Sequence, residues 1–186
     1  MSIIDKLVTD RTQADVNRVK QLNNKLWVDM TEDEKGEWFN GTETEIVYTT
    51  DSQQLTFTDG VAYVRLGVVK GAYNYTDLNR VGQALEYLAD RLTSIGYPIA
   101  VDVKTDWVVS DYIYKPDISD YLEQVETIRG VLALPSGTPQ TPAEVLTFSQ
   151  ANDIEKMLVE IEELINKIIV AFSYRYLGTM YCGELI

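Results

Sequence analysis

The sequence predicts a mainly α fold (α+β): a multi-helix bundle of four or five helices with a small antiparallel β-meander. Three observations carry this. In the C-terminal quarter, Ile154, Ile161 and Ile168 recur every seven residues, with Met157, Leu164 and Ala171 three positions after each and Leu158, Ile165 and Phe172 beside them. A stripe of that width is what a core-facing helix presents. A second amphipathic run spans 77–95, where Leu78, Val81, Leu85, Leu88, Leu92 and Ile95 alternate by three and four. Between residues 44 and 69 the pattern changes to β-branched and aromatic runs separated by turn residues.

In chain order, Thr12 followed by Asp15 opens the first helix, with Val16, Val19, Leu22 and Leu26 as its apolar line and an end near Trp27. Thr31 with Glu34 forms a capping-box pattern for a short helix carrying Trp38 and Phe39, which Gly41 stops. The runs 45–50, 54–58 and 61–66 read as a meander, with Asp51-Ser52 and Asp59-Gly60 as turns. Asp-Gly suits a hairpin because both residues tolerate positive φ. Thr76 is the expected N-cap of the next helix, and Gly96 followed by Pro98 is its stop.

Ile99 to Val103 alternates like one further strand, and 104–114 is a polar and aromatic connection. Pro116 at an N1-like position starts a helix through Ile118, Tyr121, Leu122, Val125, Ile128 and Leu132. Residues 135–142, with three prolines, read as a semi-stiff linker. The long helix then runs from Thr147, whose partner Gln150 completes a capping box, to Phe172. Glu155, Glu160, Glu162, Glu163, Asn166 and Lys167 are expected on its solvent face. The tail 174–186 reads as turns or a small hairpin. The whole, 1–186, is expected to form a single domain, with 44–69 an insertion.

Composition narrows the chemistry. The formal net charge is −13, which repels phosphate backbones and anionic membrane surfaces, so neither nucleic acid nor membrane is an expected partner. There is no histidine, which removes the commonest general base and transition-metal ligand, and Cys182 is the one cysteine. Triads and His- or Cys-based zinc sites are thereby excluded. Glu160, Glu162 and Glu163 sit at successive helical positions that do not converge on a metal. Residues 29–37 lack the spaced oxygens and central glycine of a calcium loop. Gly67, Gly71 and Gly82 lack the basic and hydroxyl residues of a phosphate loop. No catalytic residue, cofactor or metal is expected, and the chain reads as no enzyme. The N-terminus has no secretory pattern and no run is long enough for a membrane span, so synthesis in the cytoplasm is expected.

The motifs Asp10-Arg11-Thr12-Gln13-Ala14-Asp15-Val16, Lys70 through Val81 (Lys-Gly-Ala-Tyr-Asn-Tyr-Thr-Asp-Leu-Asn-Arg-Val), Lys104-Thr105-Asp106-Trp107, Ala151 to Lys156 and Tyr181-Cys182-Gly183-Glu184 together resemble a family. It comprises small proteins encoded in phage and prophage structural-gene regions of Gram-positive, gut-associated bacteria. The resemblance covers most of the chain outside residues 42–69. It implies a virion or tail-associated structural component and carries no catalytic residues.

The expected function is that of a non-enzymatic structural or assembly protein working through protein–protein contacts, with other phage structural proteins or as a homo-oligomer. A receptor- or carbohydrate-binding module of a tail or baseplate is the alternative. Its aromatic platform would be drawn from Tyr73, Tyr75, Asp106, Trp107 and Tyr112, which flank helix starts and loops. The other reading of these rings is as packing residues at helix ends. A second alternative is an acidic inhibitor that mimics DNA.

Overall fold

A computed structural model describes residues 2–23, 29, 31–34, 47–48, 57–58, 61–63, 70–71, 73–108, 111–142 and 146–183; for residues 22–23, for the strands and for 174–183 it describes the backbone alone. The chain is mainly helical, as expected. A 3-10 turn, Ile4–Lys6, is followed by α1 (Gln13–Asn23), α2 (Tyr75–Ser94), α3 (Lys115–Arg129) and α4 (Phe148–Gly183).

The helix starts follow from local chemistry. At α1, Thr12 and Asp15 exchange side-chain-to-backbone hydrogen bonds of 2.7 and 3.3 Å. Thr31 and Glu34 make the same reciprocal pair, and residues 32–34 are helical. The remainder of that expected helix, with Trp38 and Phe39, lies outside the described residues. So do the expected α1 residues Leu26 and Trp27. The N-cap of α2 is Asn74 rather than Thr76: Asn74 Oδ1 accepts from the Thr76 amide at 2.8 Å, and Asp77 accepts from the Asn74 amide at 2.9 Å. Asn outranks Thr as a cap, which moves the start upstream. The end of α2 is a Schellman arrangement. The Tyr97 amide reaches the Leu92 carbonyl, the Gly96 amide reaches that of Thr93, and Gly96 takes φ +94°.

The core lies among α2, α3 and α4. Leu85, Leu88 and Leu92 of α2 meet Ile154, Met157, Leu158, Ile161 and Ile165 of α4, while Leu122, Val125 and Ile128 of α3 close the third side. The two stripes read from the sequence are therefore the two main faces of this core. Of the α1 line, Val16 and Val19 are only half-buried.

Three expectations need correction. The segment 99–103 is not a strand. Its alternation is real, since Ile99, Val101 and Val103 pack on the core while Ala100 and Asp102 are exposed. Its amides, however, bond to side chains: Ile99 to Thr93 Oγ1 and Asp102 to Gln124 Oε1. An extended segment laid on helices shows the period of a strand without a neighbour to pair with. Gly82 admits this segment, because a Cβ there would come within 3.0 Å of the Thr105 side chain and 3.2 Å of the Lys104 carbonyl.

The second correction concerns the meander. In 44–69 the paired residues are Val47–Tyr48 (β1), Phe57–Thr58 (β2) and Val61–Tyr63 (β3), antiparallel in the order β1-β3-β2. A meander would place β2 in the centre. Among the described residues, Thr58 pairs with Val61 on either side of Asp59-Gly60 in the sequence, whereas β1 pairs with β3 and not with β2; Asp51-Ser52 lies outside the described residues.

The third is the tail. Residues 174–183 continue α4 instead of forming turns or a hairpin. A single interior glycine such as Gly178 costs about 1 kcal/mol, too little to stop a helix already nucleated and anchored over its first half. The stretch 135–142 connects α3 to α4 and is tied to both. Thr138 Oγ1 donates to Glu160 at 2.6 Å, Thr141 Oγ1 donates to Glu126 at 2.6 Å, and Arg129 donates to the Pro139 carbonyl at 3.2 Å.

Candidate functional site

The polar centre of the molecule is a buried cluster of two arginines and two carboxylates. Glu155, expected on the solvent face of α4, is fully buried at 0% exposure. Its spacing explains this: it stands four residues after buried Ala151 and three before buried Leu158, on the same face. Glu155 accepts from Arg11 Nη2 at 2.7 Å and from Arg80 Nη2 and Nε at 2.9 and 3.1 Å. It also accepts from the Val8 amide at 2.5 Å. Asp77 Oδ1 accepts from Arg11 at 2.9 Å and from Arg80. Asn152 completes the clamp, accepting from the Arg11 amide at 3.0 Å and donating to its carbonyl at 2.8 Å. The cluster is charge-balanced, and it pins the N-terminal segment across the starts of α2 and α4.

Beside it, the Arg11 guanidinium lies 5.4 Å from the centre of the Tyr73 ring, and the Tyr73 and Tyr121 hydroxyls are 2.5 Å apart. Burial pushes both phenols above their ordinary range, against which their mutual hydrogen bond acts on Tyr73. Every charged member comes from a motif noted in the sequence, Arg11 from the first, Asp77 and Arg80 from the second and Glu155 from the fourth, as do the uncharged Tyr73 and Asn152 from the second and fourth. Gly71 of the second motif has its own reason. A Cβ there would overlap the Asp15 backbone of α1. These motifs hold the fold together, and nothing in the cluster is open to a substrate.

An open concavity lies on the other side of Tyr121. A cleft of about 210 Å³ is lined by Leu78, Asp102, Val103, Lys104, Trp107, Asp117, Ile118, Asp120 and Tyr121. Trp107 is fixed by its backbone: Asn79 Oδ1 accepts from its amide at 2.7 Å and Asn79 Nδ2 donates to its carbonyl at 2.8 Å. The Lys104 ammonium stands 4.3 Å from the centre of the indole and bonds Asp111 Oδ2 at 2.7 Å. That bond raises the Lys104 pKa. It also holds the Asp111 carboxyl below its usual range, helped by the Val108 amide. Asp117 caps α3 by accepting from the Tyr114 amide at 2.7 Å, with Pro116 in the first turn.

Of the five residues singled out in the sequence, Trp107 alone lines this cleft. Tyr73 is turned into the core cluster, Tyr75 begins α2 half-buried, and Asp106 and Tyr112 are exposed outside the cleft. The five do not form one platform. Sequence reasoning missed Asp102, Asp117, Asp120 and Tyr121, which reach the cleft from two separate stretches. Among the described residues no group of three or more Cys, Asp or Glu side chains is arranged to hold a metal ion, and no helix is long and apolar enough to cross a membrane.

A third feature is the far end of α4. The stripe that is core at Leu158 and Ile165 continues at Phe172, which is 59% exposed; Val170, 52% exposed, stands on another face with Glu163, Asn166 and Lys167. Comparisons of the chain with protein-family models, with curated proteins and with solved structures find no match.

Proposed function

We propose that this chain is a non-enzymatic structural or assembly protein of phage or prophage origin, tail-associated and acting through protein–protein contacts. The observation that carries the reading is α4. Its core-facing stripe continues beyond the last buried side chain described, Ile165, to Phe172, which is exposed, and an uncovered apolar stripe on a helix is a contact surface. The motif resemblance supplies the setting, and the motifs' structural roles suit it: they are spent on rigidity, leaving no constellation of acid, base and nucleophile. The test is to purify particles released by cells carrying the gene, band them on a density gradient and look for the chain by mass spectrometry. The chain should band with the particles in stoichiometric amount. Its exclusion from them, while abundant in the same cells, would sink the reading.

The cleft favours a second reading, a receptor- or carbohydrate-binding module. An indole beside Asp102, Asp117 and Asp120 offers a sugar both a ring face and hydrogen-bond acceptors. Trp107→Ala should abolish retention on a glycan array while leaving the melting midpoint close to that of the parent. Retention that survives the change would remove the cleft from consideration.

A further inference from the structure

The cleft beside Tyr121 carries a charge and a resident group that a neutral sugar does not explain. Asp117, Asp120 and Gln124 are spaced three and four along α3 and share one of its faces. Gln124 Oε1 accepts from the Asp102 amide at 3.1 Å, which brings residue 102 against that face. Three carboxylates thus line a cavity of about 210 Å³ whose other walls include Leu78, Val103 and Trp107. Asp117 uses one oxygen to cap α3. The Asp102 and Asp120 side chains make no hydrogen bond or ion pair among the described residues. Among the described residues that line the cavity, the one cation is Lys104. Its ammonium stands 4.3 Å from the centre of the indole and 2.7 Å from Asp111 Oδ2. An ammonium group on an alkyl stem is therefore already seated on the aromatic wall. Asp111, which neutralises it, does not line the cavity.

We infer that the cleft binds a primary ammonium group on an alkyl stem, supplied by a free diamine or by a lysine side chain of another protein, and that Lys104 is its resident competitor. The walls set this chemistry. Carboxylates accept ammonium protons in charge-assisted bonds, and an indole face attracts a cation. Leu78 and Val103 suit the methylenes of a stem whose charged end stays with the carboxylates. Anionic ligands are repelled by the same three charges, and a neutral sugar makes no use of them. The incoming ammonium takes the indole face, and Lys104 stays with Asp111 at the rim. The inference concerns the cleft of the second reading but does not need its sugar.

The test is isothermal titration calorimetry of the full chain in about 150 mM salt, which screens diffuse attraction to a surface of −13. The probes are cadaverine and Nα-acetyl-lysine amide, with ammonium chloride as an amine without a stem. Cadaverine should bind saturably, one per chain, and ammonium chloride at equal concentration should not compete. Asp120→Asn should weaken binding by about threefold. Asp90→Asn, at an exposed position of α2 outside the cleft, should leave it unchanged. Lys104→Met removes the resident ammonium and should tighten binding by about threefold or more. All three positions are exposed, so each variant should melt within a few degrees of the parent. Binding of the lysine amide as well shows that a protein lysine suffices; binding of cadaverine alone assigns the seat to a free diamine.

The absence of saturable binding with both probes overturns the inference. So does an equal loss in Asp90→Asn and Asp120→Asn, which would mean diffuse attraction to an acidic surface only. A Lys104→Met variant that binds no tighter than the parent overturns it too, because Lys104 is then an ordinary rim pair with Asp111. The sugar reading fails separately. Amine binding with an empty glycan array removes the sugar and keeps the inference. Glycan retention that excess cadaverine leaves untouched gives the cleft to the sugar and overturns it.

Discussion

Glu155 carries more consequence than any other single residue. It is a fully buried carboxylate that receives two guanidinium groups and the Val8 amide. Such a cluster is tolerable because its charges balance and nearly all its polar atoms are bonded; Arg11 Nε is the exception. Removing one member leaves the others charged, buried and uncompensated. Arg11→Ala should therefore cost about 3–5 kcal/mol in urea denaturation, whereas Lys167→Ala, whose exposed pairing with Glu163 spans 3.6 Å, should cost less than about 0.5 kcal/mol. Equal effects would contradict the account. Tyr73 and Tyr121 make an alkaline prediction. Their folded pKa values are raised, so the unfolded chain releases these protons first. The stability they contribute is present below the ordinary phenol value of about 10 and falls as pH rises above it. Phenolate absorbance should show two of the twelve tyrosines ionising only together with the loss of helical circular dichroism.

The elements are set by their ends. The α2 stop depends on Gly96 at φ +94°, with nothing nearby to obstruct a side chain. Gly96→Ala should thus destabilise by conformation alone, by about 1–2 kcal/mol, in thermal melts. A neutral outcome would mean that the turn can rearrange. In the 104–111 connection, Asp111 joins Lys104 and the Val108 amide. Its folded pKa is depressed, so its contribution is full above the ordinary aspartate value and is lost as pH falls through the acid range. The difference in melting midpoint between the parent and Asp111→Asn should shrink on acidification from neutrality to below about pH 3. A difference independent of pH would point to packing instead. The caps at Thr12, Thr31 and Thr147 were legible because a capping box is a local reciprocal pair. The start of α2 was less so, because Asn74 and Thr76 both satisfy the rule and their strengths differ by little.

At the scale of the molecule, three helices share one core while α4 outruns it. Deleting residues 170–186 should leave a cooperative melt with a midpoint close to the parent's, since among the described side chains the last buried residue of α4 is Ile165. Loss of cooperativity on deletion would show that the end of α4 serves its own fold. The cleft is also a property of this scale: Asp102, Trp107, Asp117 and Tyr121 meet only because α3 packs beside the extended segment that crosses Gly82.

By itself the sequence determined the helical class, the two main stripes and most helix starts, because these depend on spacing within one or two turns. Tertiary structure decided what spacing cannot express. Glu155 is buried because Arg11 and Arg80 arrive from far along the chain to neutralise it. Residues 99–103 are extended without being a strand because helices, not another strand, lie beneath them. Residues 170–173 of α4 are exposed because the core it shares with α2 and α3 ends before them.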